Sequence, residues 1–186
     1  MAYNKNKIFL LALHRLGITT QLDFNKPNDV KYAVLDDEYD NAVETLLYQC
    51  DWSFARVSRV LSLKNAENGN YYFDIPKDCI RPLKVLSVSS GLMLDWDIID
   101  NSIISSEKNI ELFYTKNIKD ENSFSASFIK TLSYALASAV ALSLTESEKK
   151  YRLMESIYSD YVKKNIVTSA NESYSSVNYS EYYEDR

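Results

Sequence analysis

His14 is the only histidine in the 186-residue chain. A single imidazole leaves no multi-histidine metal site and little room for a nucleophile, base and orienting acid of the serine-hydrolase kind. Beside Arg15 on a helix face it reads as a solvent-facing side chain. No C-x-x-C or H-x-x-H pair occurs, so zinc-ligand spacing is missing as well. With three glycines in the whole sequence, a glycine-rich phosphate loop has no material to form from. Carboxylates are plentiful, and a pair such as Asp36 and Asp40 could in principle cleave a glycosidic bond by acid/base catalysis. That chemistry needs two carboxyl groups at a set separation across a cleft, which sequence spacing cannot supply, and most such clusters are solvated faces. The expectation is therefore no catalytic residue, no metal and no cofactor.

The residues left with a specific pattern are aromatic and lie in one stretch, Ala42 to Pro82. An acidic helix runs into Trp52-Ser53-Phe54-Ala55, where helical spacing gives way to strand spacing, and the stretch closes on Ile75-Pro76-Lys77-Asp78-Cys79-Ile80-Arg81-Pro82. Trp and Phe bring the most apolar area per residue to a junction. Trp52, Phe54, Pro76 and Arg81 are accordingly read as a structural corner that wedges helices against a sheet.

The elements around that corner follow from periodicity. A first helix spans about residues 4–16, with Ile8, Leu11, Ala12 and Leu16 on one stripe and Gly17 as its stop. A second spans about 29–50, capped by Asn28 or Asp29, with Tyr32, Leu35, Tyr39, Ala42 or Val43, Leu46, Leu47 and Cys50 at a 3.6 period. Short β-type runs fill about 57–115. Helical spacing returns at about 124–144, apolar around most of its circumference, and again at about 146–170 with acids in its first turn. The fold class expected is mainly α with an inserted β region (α+β): a bundle of about four helices with a small antiparallel sheet between the second and third long helices. The scarcity of glycine and proline disfavours a turn-dense sandwich or barrel. Residues 1–170 form a single domain in this reading. Beyond Asn171 the sequence has no period and one aliphatic residue, so 171–186 is expected to be a flexible, tyrosine-rich tail.

Charge and composition bound the partners. The net charge is -5 with no basic run, which disfavours a protein that grips nucleic acid by its phosphates. From Asp29 to Asp51 seven acids face the single base Lys31. Asp36, Asp37, Asp40 and Glu44 mark either the wall of a channel or an ordinary solvated face. The apolar run from Thr131 to Thr145 is too short for a membrane span, and the N-terminal Ile8–Leu13 run lacks a small-x-small cleavage site and is broken by His14 and Arg15. These features lead to the expectation of a soluble protein, made in a cytoplasm, with Cys50 and Cys79 as reduced, partly buried thiols.

The order helix, W-x-F-A, short strand, polar turn, Y-x-F-x-I-P, D-C-I-R-P and a run of strands resembles the head-to-tail adaptors of short-tailed phages, also called tail tubular protein A. The likeness continues through Asp95-Trp96-Asp97-Ile98-Ile99 and Ile110-Glu111-Leu112-Phe113-Tyr114 to the helix carrying Phe124, Phe128, Ala135, Leu136, Ala137 and Ala141, and covers about residues 8–171. The abundance of Tyr and Asn suits an AT-rich genome such as those of crAss-like phages. The resemblance implies a structural virion protein at the head–tail junction, one that forms a ring, often of twelve copies, below the portal. Its partners would be the portal protein, its own copies and downstream tail proteins, with DNA passing through unbound and no membrane involved. In that setting Tyr174, Tyr179, Tyr182 and Tyr183 are candidates for docking on the portal or a neighbouring subunit, against the alternative of a frayed end whose tyrosines reflect codon usage. Competing readings are a neck or head-completion plug, a virion-associated peptidoglycan hydrolase, and a helical interaction module with no virion role.

Overall fold

The computed structural model describes residues 4–19 and 29–181, with side chains as far as Ser169. Its contacts divide the chain into two compact units, a helical one from residues 1–54 and 118–186 and a sheet unit from Ala55–Asn117.

In the helical unit, α1 (Lys5–Arg15) starts where the Asn4 side chain accepts the Lys7 N–H, and α2 (Val30–Gln49) where Asp29 accepts that of Lys31. Each cap satisfies a backbone donor that the first helical turn cannot. The chain leaves α1 at Gly17, whose φ of +73° is open to glycine at no steric cost. The buried stripe of α1 is Ile8, Phe9, Ala12, Leu13 and Leu16. Leu11 lies at its margin, so Phe9 and Leu13 carry packing that the sequence reading gave to Leu11. α2 buries Leu35, Tyr39, Val43, Leu46 and Leu47.

α3 (Ala126–Thr145) is the central helix, capped by Ser125, whose hydroxyl accepts the Phe128 N–H. It packs on α1, α2 and α4. By length and composition alone it could cross a membrane, but more than half of its most apolar window is buried inside the protein. Thr131, Ser133 and Ser138 are buried too; the first two hydroxyls bond to the backbone one turn back, at the Ser127 and Lys130 carbonyls, and Ser138 donates to Glu155. Glu146, at φ +50°, turns the chain into α4 (Glu148–Glu181). The Tyr134 and Tyr161 rings stack at 5.3 Å between α3 and α4, and Lys150 Nζ donates to the Leu16 carbonyl just past the end of α1. As backbone, α4 continues to Glu181, past the end expected near Ala170; the added stretch holds no glycine or proline to stop it.

The sheet unit corrects the expected fold. In place of one small sheet within a helical bundle, the described residues hold two antiparallel sheets with seven strands, so the protein is α+β with a substantial β unit of its own. The strands are β1 (Arg56–Val60), β2 (Leu63–Glu67), β3 (Asn70–Asp74), β4 (Cys79–Ser87), β5 (Trp96–Ile99), β6 (Ser102–Ser105) and β7 (Ile110–Lys116). One sheet has the order β1-β7-β4, the other β2-β3-β6-β5. Phe73 and Ile103 from the second sheet meet Val85, Ile110, Leu112 and Tyr114 from the first, with Leu61 from the link between β1 and β2, in one buried cluster. The inference from scarce glycine failed for a specific reason: Asn68, Asp100 and Asn101 take the left-handed turn positions at φ +51°, +48° and +58°. Short polar side chains tolerate that region, so a hairpin-rich unit forms with little glycine.

Candidate functional site

The aromatic corner lies inside the helical unit. Trp52 sits past the end of α2 and is 7% exposed. Its indole N–H donates to the Leu46 carbonyl at 2.9 Å, one of the last carbonyls of α2 left without a helical partner. The Trp52 ring meets Phe128 edge-on at 5.0 Å; Phe54 meets Phe128 at 5.2 Å and Phe124 at 5.8 Å. The corner thus ties the C-terminus of α2 to the first turn of α3 and the short 3-10 turn (Glu121–Ser123) before it.

Beside the corner an open, polar cleft of about 220 Å³ is lined by Asp51, Ser53, Ser125, Ser127, Asn165 and Thr168, among others. Asn165 is already engaged: its carbonyl accepts the Ser127 hydroxyl at 2.7 Å and its amide donates to Thr131. Cys50, also on the lining, is buried, with its sulfur 3.8 Å from the Val162 carbonyl. Among the described residues of this lining Asp51 is the single carboxylate.

One acid of the α2 face has a partner on α1. Asp36 is held by Lys5 of α1 at 2.6 Å, and the same ammonium lies 4.6 Å over the Tyr39 ring. Asp36 thus pairs α2 with α1 while its side chain stays partly exposed. Asp37, Asp40 and Glu44 are solvent-exposed on one side of α2. Tyr39 on the opposite side donates to Glu121 at 3.1 Å, and its phenol is held far above the usual range by burial first and by the Glu121 charge second.

In the sheet unit, Pro76 accepts the Cys79 N–H at 2.9 Å and closes the turn into β4, in which Arg81 is half-buried. Asp78 between them is the residue that sequence reasoning missed. Its carboxylate accepts the hydroxyl of buried Tyr114 at 3.1 Å and lies 3.6 Å from Arg59 and 3.8 Å from Lys116; its carbonyl accepts the Asn117 N–H at 2.7 Å. One side chain thus joins the β4 turn to β1 and β7. Burial, then the Asp78 charge, pushes the neighbouring Cys79 thiol up to about 11, so at neutral pH it is protonated and a poor nucleophile. Replacing Asp78 with alanine is expected to cost about 1–3 kcal/mol, because the Tyr114 hydroxyl loses its acceptor while the long, exposed ion pairs add little. Asp78→Asn, which keeps an acceptor oxygen, should recover part of that loss in urea melts; equal stability of wild type and Asp78→Ala would remove Asp78 from this role.

His14 is exposed in the last turn of α1. Cys50 and Cys79 are free thiols. Among the described residues no three His, Cys, Asp or Glu side chains gather closely enough to hold a metal ion. Tyr174 and Tyr179 fall on the backbone of α4, beyond the described side chains, and Tyr182 and Tyr183 lie outside the described residues. The described surface includes exposed acids on α2, two edge strands in each sheet and the long helix α4. No family model matches the chain, and no curated protein matches it.

Proposed function

We propose that this chain is a structural connector of a short-tailed phage, a head-to-tail adaptor that assembles as a ring below the portal and joins capsid to tail. The observation that supports this reading is the order of elements: two helices, a β unit inserted between α2 and α3, a long apolar helix and a longer last helix. That is the order on which the resemblance rests. The exposed Asp37, Asp40 and Glu44 suit the wall of a channel, since like charge keeps sliding DNA from adhering. The ring's partners in this proposal are the portal above, tail proteins below and identical copies on either side.

The test is reconstitution. Heads that carry a portal but lack this protein should bind it when it is added in purified form, show a new ring of density beneath the portal by electron microscopy, and retain their DNA. Failure to bind such heads, with binding to other virion parts instead, would overturn the proposal.

Alone in solution the protein is expected to be monomeric, gathering into a ring only on its portal. Its net charge of -5 opposes self-association, and a ring then draws its stability from the portal by mass action. Sedimentation velocity at micromolar concentration reads this directly; a stable ring without portal would contradict it.

A further inference from the structure

The four-stranded sheet ends in two open edges, β2 and β5. An open edge is a row of unpaired backbone groups ready to template another strand. β5 is the more inviting one, with Ile98 and Ile99 exposed by 43% and 52%, while β2 carries a register shift between Leu63 and Asn65 and exposed Lys64 and Glu67.

Hairpin geometry fixes which amides face the open side. β5 and β6 are joined by Asp100-Asn101, both at positive φ, as a two-residue hairpin turn of type I′ requires. In such a hairpin the flanking pair, Ile99 and Ser102, exchanges ladder hydrogen bonds. The next pair, Ile98 and Ile103, does not, so the Ile98 N–H points away from β6. That N–H donates to Asp97 Oδ1 at 2.7 Å. The opposite edge repeats the arrangement. Asn68-Gly69, at φ +51° and +82°, joins Glu67 to Asn70; the Ala66 N–H of the next pair faces outward and donates to Asn65 Oδ1 at 2.8 Å.

We propose that Asp97 and Asn65 are edge latches: each occupies with its own side chain the outward amide that an incoming strand would need, and so keeps a second copy of this chain from extending the sheet. At β5 the latch is decisive, because no register shift, proline or lysine protects that strand. The inference rests on the hairpins alone and does not depend on the connector reading.

The test compares wild type with Asp97→Ala, Asp97→Asn and Asp100→Asn. Asp97→Asn keeps the acceptor oxygen and removes the charge; Asp100→Asn removes the same charge at a turn position that asparagine tolerates. In dilute protein the Ile98 amide should exchange with solvent about tenfold faster in Asp97→Ala, the factor that one ordinary hydrogen bond supplies. It should stay at the wild-type rate in the two asparagine variants. At rising concentration Asp97→Ala should self-associate in sedimentation velocity and bind thioflavin T where the others do not. An unchanged Ile98 rate in Asp97→Ala overturns the proposal. So does association of both asparagine variants as strong as that of Asp97→Ala, which would assign the effect to charge. Were Asp97→Ala to lose protection throughout β3 and β6 by unfolding, Asp97→Asn decides: wild-type protection at Ile98 supports the latch, and its loss overturns it.

Discussion

Trp52→Ala is expected to lower the stability of the helical unit by about 3–5 kcal/mol, the range for truncating a large buried aromatic. Much of a domain's total stability is of that size, so the variant should melt far below the wild type or fail to accumulate folded. The loss has two sources. The ring fills the space between the end of α2 and Phe128. The indole N–H also satisfies the Leu46 carbonyl, which alanine leaves without that partner. Trp52→Phe separates the two: it keeps part of the packing and leaves the buried Leu46 carbonyl without its donor, and should cost about 1–3 kcal/mol for the lost bond alone. Denaturant melts followed by far-ultraviolet dichroism read both variants. An unchanged midpoint for Trp52→Ala together with lost attachment to portal-bearing heads would make the corner a binding surface instead.

Deleting residues 171–186 is expected to do the reverse: leave the melting midpoint nearly unchanged and abolish attachment to heads. The antiparallel pairing of α4 with α3 is marked by Ser138 with Glu155, Tyr134 with Tyr161 and Ser127 with Asn165, and Ser127 is already in the first turn of α3. Asn165 of α4 thus already lies against the first turn of α3. The deleted segment holds Tyr174, Tyr179, Tyr182 and Tyr183, a side chain enriched where chains dock because it offers wide contact area at low rotamer cost. Complementation of a mutant lacking the protein is the readout. Normal yields of infectious particles with the truncated protein would take the tail out of the docking role.

What sequence could and could not reveal follows the range of each interaction. The α2 stripe is readable because Leu35, Tyr39, Val43, Leu46 and Leu47 repeat within a few turns, and Asp29 is readable as a cap because its bond is to Lys31. The ion pair of Asp36 was not readable for the opposite reason: its partner, Lys5, lies on another helix, so no local pattern separates Asp36 from Asp37 and Asp40. Asp78 was overlooked because Arg59, Tyr114 and Lys116 converge on it from two other strands. The division into two sheets was hidden in the turns, where asparagine and aspartate do what glycine was expected to do. Strand runs were legible in this stretch; which strands pair was not, since β7 finds both β1 and β4 far away in sequence.

The register of β1 on β7 sets Arg56 opposite Thr115, so the two ends of the inserted unit lie side by side. A ribosome delivers that unit whole, while the helical unit still awaits α3 and α4. Once folded, the unit keeps its own two ends together and replaces a free segment of about sixty residues with an ordered one. Closing a free loop of that length would cost about 3–4 kcal/mol of chain entropy by simple polymer statistics. Early completion of the β unit removes most of that cost before the last helix arrives, and lowers the effective contact order of the helices that follow. Mutations that slow the β unit should therefore delay docking of α3, although they touch no helical residue.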